Sequence, residues 1–281
     1  NNLIIKNAAQ VVTCSGFEGK RGAEMSNLHV IENGTVIVTD GIISHVLKKG
    51  EAIPIDVSGY KEIDATGKAL LPGFVDPHTH FVFGGHREEE FSWRMRGDSY
   101  MSIMERGGGI VNTTKATREA SEEELYNSAK RRLDDMLELG ITTVEGKSGY
   151  GLDKDTEMKQ LRVMRKLNED HPMDIVSTFM GPHATPAEWK GREDEFIDFN
   201  INEMLPLVAK EKLAECADIF CEENVFTIEQ SRRFLTAARE HGFLLKLHAD
   251  EIVQFGGAEL AGELKVLSAD HLLQASDEGI K

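Results

Sequence analysis

Two histidines, His78 and His80, stand one residue apart at the end of the apolar run GFVDPHTH. Alternate residues of a strand point to the same side, so both imidazoles can reach one point. Two later apolar runs, FLLKLH and LSADH, end in His248 and His271. Neutral imidazoles suit Zn or Fe, and three nitrogens with an open position are typical of a catalytic site. For His78 and His80 alone, a pair of surface histidines is the alternative.

Glu251 follows the third of these histidines closely, in the stretch HADE. A catalytic metal lowers the pKa of its water and provides hydroxide for attack on a carbonyl or amidine carbon. A nearby carboxylate must then move protons, and Glu251 is the candidate acid/base. A solvated loop carboxylate is the alternative interpretation.

Arg87 lies just behind the first two histidines and could grip a substrate carboxylate in a bidentate manner. Such a local cation matters because the formal net charge of −16 repels anions over most of the molecule. The alternative is a surface arginine paired with one of the glutamates that follow it, Glu88, Glu89 and Glu90. Tyr150 and His183 lie on Gly/Pro-bearing turns, which place side chains over a pocket or simply pack locally.

The elements that position these residues differ between the two parts of the chain. Residues 1–66 contain short strand-like runs joined by Gly/Asn turns. Residues 67–281 alternate apolar runs with amphipathic segments, which indicates a parallel α/β sheet, either a barrel or an open doubly wound sheet. Polar residues end nearly every run, and this favours a (β/α) barrel, whose active site lies at that face.

Composition excludes several function classes. The acidic charge argues against nucleic acid or an acidic membrane as a partner, and no apolar run reaches membrane-spanning length. The N-terminal residues do not have the pattern of a signal peptide, so a cytoplasmic location is expected. The three cysteines do not form a disulfide framework or a CxxC metal site.

The motifs together resemble a known family. PGFVDPHTH after a strand-rich start resembles the amidohydrolase superfamily. Within it, HTHFVFGGHREEEFSWRMRG, EGKSGYGL, FMGPHATP and KLHADE resemble the imidazolonepropionases of histidine degradation. The resemblance implies a TIM-like (β/α)8 amidohydrolase barrel over residues 67–281 and a small N-terminal β-sandwich domain over residues 1–66. The implied reaction is hydrolysis of 4-imidazolone-5-propanoate to N-formimidoyl-L-glutamate.

The resemblance also implies a role for each matching residue. One divalent metal ion, Zn or Fe, would be bound by His78, His80 and His248. The substrate's carboxylate arm would be gripped by Arg87 and Tyr150, with Tyr100 assisting. The substrate ring and its carbonyl would contact His183, Glu251 would shuttle a proton, and His271 would stand beside the attacking water. A homodimer is typical of the family.

Two departures from the superfamily pattern affect this prediction. Binuclear relatives carry a lysine at the end of the fourth strand, where this chain reads ADIFCEEN, so one metal ion is expected. The chain holds about six of the eight strands of a closed barrel, so we expect a longer full chain that supplies the family's fourth ligand, an aspartate. A lid at Gly107–Gly109 is a hypothesis that rests on glycine flexibility.

Two other functions stay open at this point. An aromatic deaminase would use the same metal chemistry on an exocyclic amine, but it gives Arg87 no obvious partner. A non-catalytic metal-binding scaffold would bind the ion without turnover, and it gives Glu251 no role.

Overall fold

The computed structural model describes residues 2–16, 18–98, 102 and 108–281. The chain divides into two compact units, Asn1–Gly73 and Phe74–Lys281.

The first unit is built on one mixed sheet. Its strands are β1 (Leu3–Val12), β2 (Val30–Thr39), β3 (Ile42–Leu47), β4 (Lys61–Asp64) and β5 (Ala69–Leu70), and a 3-10 turn covers Gly22–Ser26. The order is β3-β2-β1-β4, with β5 also on β1; β1, β2 and β3 are antiparallel neighbours, and β4 and β5 run parallel to β1. Strands β1 to β4 lie within residues 1–66, where the sequence predicts short strands, and β5 lies just beyond them. The sandwich arrangement stays a prediction.

A tight turn and one apolar face hold this sheet together. Asp40 and Gly41 join β2 to β3 with positive φ angles of 53° and 83°, as a two-residue hairpin loop requires. Ala8, Val11 and Val36 form a buried cluster with Ala65. Burial along these strands departs from a strict period of two, because the β1–β2 register shifts between Ile5 and Ala8 and adjacent residues Val36 and Ile37 are both buried.

The second unit contains a curled sheet of seven parallel strands. They are β6 (Phe74–Thr79), β7 (Ile141–Lys147), β8 (Asp174–Phe179), β9 (Cys216–Ala217), β10 (Phe220–Cys221), β11 (Leu244–Ala249) and β12 (Ser268–His271). From β6 to β9 each strand pairs with the next one in sequence, and β11 pairs with β9, β10 and β12. Apart from the short strands β9 and β10, which both pair with β11, the spatial order follows the chain order. That is the barrel pattern, and it has no doubly wound switch point.

Helices follow the strands of this unit. They are α1 (Glu88–Met95), α2 (Ile110–Glu119), α3 (Glu122–Glu138), α4 (Lys154–Asp170), α5 (Glu193–Phe199), α6 (Leu205–Glu211), α7 (Ile228–Glu240), α8 (Gly257–Leu264) and α9 (Asp277–Ile280). A 3-10 turn covers Ala187–Trp189, and a π turn, Asn200–Met204, joins α5 to α6. No helix in the described part of the chain is both long and apolar enough to cross a bilayer.

Local signals in the sequence explain where the long helices begin and end. The Ser121 side chain accepts from the Glu124 amide, and the Glu124 carboxylate accepts in return from Ser121, which forms a capping box at the start of α3. Gly140, with φ of 90°, directs the chain into β7. Leu125 and Leu133 on α3 and Leu161 on α4 are buried in the main core. This packing fixes the strands, and with them the side chains at their ends.

Candidate active site

His78, His80 and His248 meet at the C-terminal ends of strands β6 and β11. Their potential ligand nitrogens all lie within 4.8 Å of one another. The ring centroid of His78 lies 5.8 Å from that of His80 and 4.5 Å from that of His248. Strand alternation and the parallel sheet therefore bring together the three residues predicted to bind metal.

Each of these imidazoles has its Nδ1 atom against an oxygen. His80 Nδ1 donates to the Ser148 carbonyl at 2.8 Å, and His248 Nδ1 donates to Asp218 Oδ2 at 3.0 Å. His78 Nδ1 lies 3.1 Å from Asp270 Oδ2. A proton held on Nδ1 leaves the lone pair on Nε2, which is the arrangement found behind metal-bound histidines.

The surroundings of His80 favour its neutral form. Burial, followed by the neighbouring histidines His183, His248 and His78, holds the pKa of His80 well below its usual value. The buried Nε2 atom of His248 has no hydrogen-bond partner among the described residues. A divalent ion would satisfy that nitrogen, so the donor set fits a metal such as Zn or Fe.

A buried charge network lies behind the histidines, and the sequence analysis missed it. Lys147 Nζ lies 2.7 Å from Glu145 Oε1, 2.8 Å from Asp218 Oδ2 and 2.9 Å from Asp270 Oδ2. Burial raises the pKa of Asp218, but His248 and Lys147 outweigh it and hold that pKa well below its usual value. These residues also lie near strand ends, a signal that could have placed them close to the histidines but not shown that they are buried together.

Glu251 and His271 are neighbours beside the histidine cluster. His271 Nε2 lies 3.4 Å from Glu251 Oε2, and its ring centroid is 5.0 Å from those of His78 and His248. Burial raises the pKa of Glu251. Burial, and then the charges of His248 and His78, lower the pKa of His271 to about 4. A half-buried carboxylate of raised pKa next to a neutral imidazole is suited to proton transfer.

Two flanking carboxylates hold the chain around Glu251 in place. Asp250 accepts backbone N–H groups from the start of α8, with Oδ1 2.8 Å from the Phe255 nitrogen and Oδ2 2.8 Å from the Ala258 nitrogen. Glu222 Oε2 accepts from the Ile252 amide at 2.8 Å. The peptide before Glu251 and the peptide after it are therefore both anchored by buried groups.

Tyr150 and His183 border the same cluster from two turns. The His183 ring is stacked on His80, with centroids 4.8 Å apart and planes 8° apart, and the Tyr150 ring lies 5.1 Å from His80. His183 Nδ1 donates to the Gly149 carbonyl at 2.9 Å. Burial, and then His248, lower the pKa of His183 to about 3. Its neutral ring can thus hydrogen-bond or stack with a substrate.

Among the described residues, Arg87 does not contact this cluster. Arg87 is exposed at the start of α1 and lines a cavity of about 410 Å³. The residues described along that cavity are His86, Glu88, Glu89, Glu90, Trp93, Gly108 and Asn112, not the three histidines. Tyr100 and Gly107 lie outside the described residues. Gly109, at the end of the predicted lid, donates its amide to the buried Glu90 Oε1 at 2.7 Å.

Solved structures with low sequence identity share the fold. The ochratoxinase of A. niger matches with a TM-score of 0.62 and 14% identity, over 99% of this chain and 62% of that one. Guanine deaminase from C. acetobutylicum matches with a TM-score of 0.63 and 14% identity, over 100% of this chain and 64% of that one. At such identities the likeness concerns the fold alone, which is that of the amidohydrolases.

Curated relatives share far more of the sequence. Imidazolonepropionase of Clostridium tetani is 62% identical over 281 residues, which is 100% of this chain and 67% of that protein. Those of Parabacteroides distasonis and Phocaeicola vulgatus are 60% and 63% identical, over 100% of this chain and 68% of each protein. No protein-family model matches the chain. On the strength of these identities, held over its whole length, the chain belongs to the imidazolonepropionase family.

Proposed function

We propose that the protein hydrolyses the cyclic amide of 4-imidazolone-5-propanoate to N-formimidoyl-L-glutamate, a step of histidine degradation. The observation that carries the proposal is the set of three imidazoles with ligand atoms within 4.8 Å, beside a carboxylate of raised pKa. Membership of the imidazolonepropionase family supplies the substrate.

His78, His80 and His248 would hold one divalent ion, Zn or Fe, through Nε2. When bound, such an ion lowers the pKa of a coordinated water and polarises a carbonyl. The oxygens of Ser148, Asp218 and Asp270 keep each Nδ1 proton in place, so they orient the rings and keep the Nε2 lone pairs available.

Glu251 would move the proton. In the reaction the oxygen of water bonds to the ring carbonyl carbon, the ring C–N bond breaks, and the departing nitrogen takes a proton. Glu251 accepts the proton from the water and passes it to that nitrogen, a task that suits a carboxyl whose pKa is raised towards neutrality. His271, 3.4 Å away, would orient the same water.

The remaining residues would bind the substrate. His183 would contact the ring and its carbonyl, and Arg87, Tyr150 and Tyr100 would bind the propanoate. The exposed position of Arg87 beside a cavity supports this role, because its guanidinium has access to a carboxylate from solvent.

The organisation of the whole protein is also proposed. Residues 1–66 would contribute to a small β-sandwich, and residues 67–281 to a (β/α)8 barrel whose remaining strands and fourth metal ligand come from further chain. The chain spans about two thirds of the length of the curated relatives named above, 67–68%, which supports a longer barrel. We propose a cytoplasmic homodimer by analogy with the family.

The test is turnover by the full-length protein, followed by the loss of ultraviolet absorbance of 4-imidazolone-5-propanoate. We expect turnover that a chelator abolishes and added Zn or Fe restores. Guanine and 5-methylcytosine, incubated under the same conditions, should remain unchanged. Turnover of either base without turnover of imidazolonepropanoate would contradict the proposal and favour a deaminase. Turnover that survives complete removal of metal would contradict the assigned metal centre.

A further inference from the structure

Lys147 is a fully buried lysine that the proposed reaction does not use. It is the last residue of β7, and its Nζ atom lies within 2.9 Å of Glu145, Asp218 and Asp270. Burial lowers the pKa of Lys147, but the three carboxylates outweigh that effect and raise the pKa above its usual value. Its side chain is therefore a fixed ammonium ion inside the sheet.

Two of its partners, Asp218 and Asp270, are the carboxylates that lie against the Nδ1 atoms of the predicted ligands His248 and His78. Asp218 accepts from Nδ1 of His248 at 3.0 Å, and its other oxygen accepts from the His248 amide at 3.1 Å. Asp270 lies 3.1 Å from Nδ1 of His78. Lys147 thus joins strand β6 to strand β11 through the two acceptors, without contacting a metal ligand itself.

The same carboxylates are part of a second potential metal-binding group. Potential ligand atoms of Asp218, His248 and Asp270 all lie within 4.8 Å of one another. Two carboxylates and an imidazole are a donor set that a divalent ion accepts. The ammonium of Lys147 lies at hydrogen-bonding distance from both carboxylates, and it therefore takes the place that such an ion would need.

We propose that Lys147 is a positioning residue whose ammonium substitutes for a second divalent ion, so that the centre binds one metal ion and not two. The inference rests on the proposed metal centre and adds the reason for its stoichiometry. Two buried lysines, Lys147 and Lys246, face three carboxylates here. Without the Lys147 ammonium, Lys246 alone faces the three carboxylates. The buried network then has an excess of negative charge, which attracts a cation.

Lys246 offers a matched control. It is also buried, lies on β11 and pairs with Glu145 Oε2 at 2.7 Å, on the opposite oxygen from Lys147. It belongs to the same network, but its ion pair is with Glu145 and not with the two aspartates. Lys246→Gln therefore removes a buried ammonium of the same type without vacating the position between Asp218 and Asp270.

The experiment measures metal bound per chain by mass spectrometry after Zn loading and gel filtration of the unmodified protein, Lys147→Gln and Lys246→Gln. We expect about one ion in the unmodified protein and in Lys246→Gln, and about two in Lys147→Gln. One ion in all three proteins would overturn this inference and leave the proposed centre intact. No ion in the unmodified protein would overturn the proposed centre and the inference with it.

Thermal unfolding keeps the proposal testable if Lys147→Gln is unstable. A second ion should replace the missing positive charge, so excess Zn should restore the folding of Lys147→Gln and raise its Tm more than that of Lys246→Gln. A Lys147→Gln protein that stays unfolded in excess Zn would overturn the proposal.

Discussion

The raised pKa of Glu251 gives the proposed reaction a definite pH dependence. Burial is the main cause of the shift, which moves the pKa upwards from 4.5. The carboxylate must be ionised to accept a proton from water. Activity should therefore be present above the shifted pKa and be lost as the pH falls through it.

We predict that kcat/KM has an acid limb with its midpoint above 4.5, and that Glu251→Gln lowers kcat about 10²- to 10⁴-fold while removing this limb. The measurement is a pH–rate profile of both proteins at fixed metal content. Glu223→Gln, at an exposed position on the turn after β10, should keep the profile of the unmodified protein. An unchanged acid limb in Glu251→Gln would exclude Glu251 as the proton carrier.

At the residue scale the sequence indicated the imidazoles but not the buried charged residues that lie against their Nδ1 atoms or pair with those acceptors. Histidines at strand ends are distinctive, and the i, i+2 spacing of His78 and His80 fixes their common direction. Asp218 and Lys147 stand at comparable positions, but a charged residue in an acidic chain is usually solvated. Only the three-dimensional distances identify them as one buried network.

The turn 148–152 is an element that one buried carboxylate holds together. Glu157 Oε1 accepts from the amides of Gly151 at 2.8 Å and Leu152 at 2.9 Å, and Oε2 accepts from that of Gly149 at 3.0 Å. Burial raises the pKa of Glu157 despite these bonds. The carbonyls of Ser148 and Gly149 in this turn accept from His80 and His183, so Glu157 acts indirectly on the orientation of both rings.

We predict that Glu157→Ala lowers Tm by about 5–10 °C, because it leaves buried N–H donors without an acceptor at a cost of about 1–3 kcal/mol each. Thermal unfolding followed by circular dichroism measures the change. Glu169→Ala, at an exposed site on the same helix α4, should change stability by less than about 0.5 kcal/mol. Equal Tm values for the two variants would show that solvent replaces the carboxylate.

Helix boundaries were more predictable than this turn. Ser121 and Gly140 mark the limits of α3 by local rules, because a cap depends on residues within one helical turn. The turn 148–152 depends on Glu157, which was not distinctive in the sequence. Its glycines indicated a turn, but not which side chain would stabilise it.

At the scale of the molecule, the net charge of −16 opposes an anionic substrate. Arg87 would offset this repulsion locally. We predict that Arg87→Ala raises KM for imidazolonepropanoate about 10- to 100-fold, and that added salt lowers the KM of this variant by screening the acidic field. Steady-state kinetics at low and high ionic strength measures both effects.

Arg96→Ala is the matched control, because Arg96 caps the other end of the same helix, α1, and is also exposed. It should leave KM nearly unchanged at either ionic strength. Equal effects of the two substitutions would mean that Arg87 acts only through general charge and does not bind the carboxylate.

The succession of strands and helices made the parallel sheet predictable. It did not predict which residues of the first and last strands would contact each other. Periodicity reports which face of each strand is buried, but it contains no information about how strongly the sheet curls. Strands β6 and β12 are the first and last of the described sheet, yet His78 of one lies 3.1 Å from Asp270 of the other.

That contact has a consequence for the order of folding. The chain between β6 and β12 includes nearly all of the second unit, so the pair joins residues of very large sequence separation. Closing a loop of that length costs entropy that is recovered only when the intervening strands have docked. His78 and Asp270 should therefore meet after the intervening helices and strands have assembled. In refolding, gain of high-affinity metal binding should be one of the last events, and its rate would report completion of the second unit.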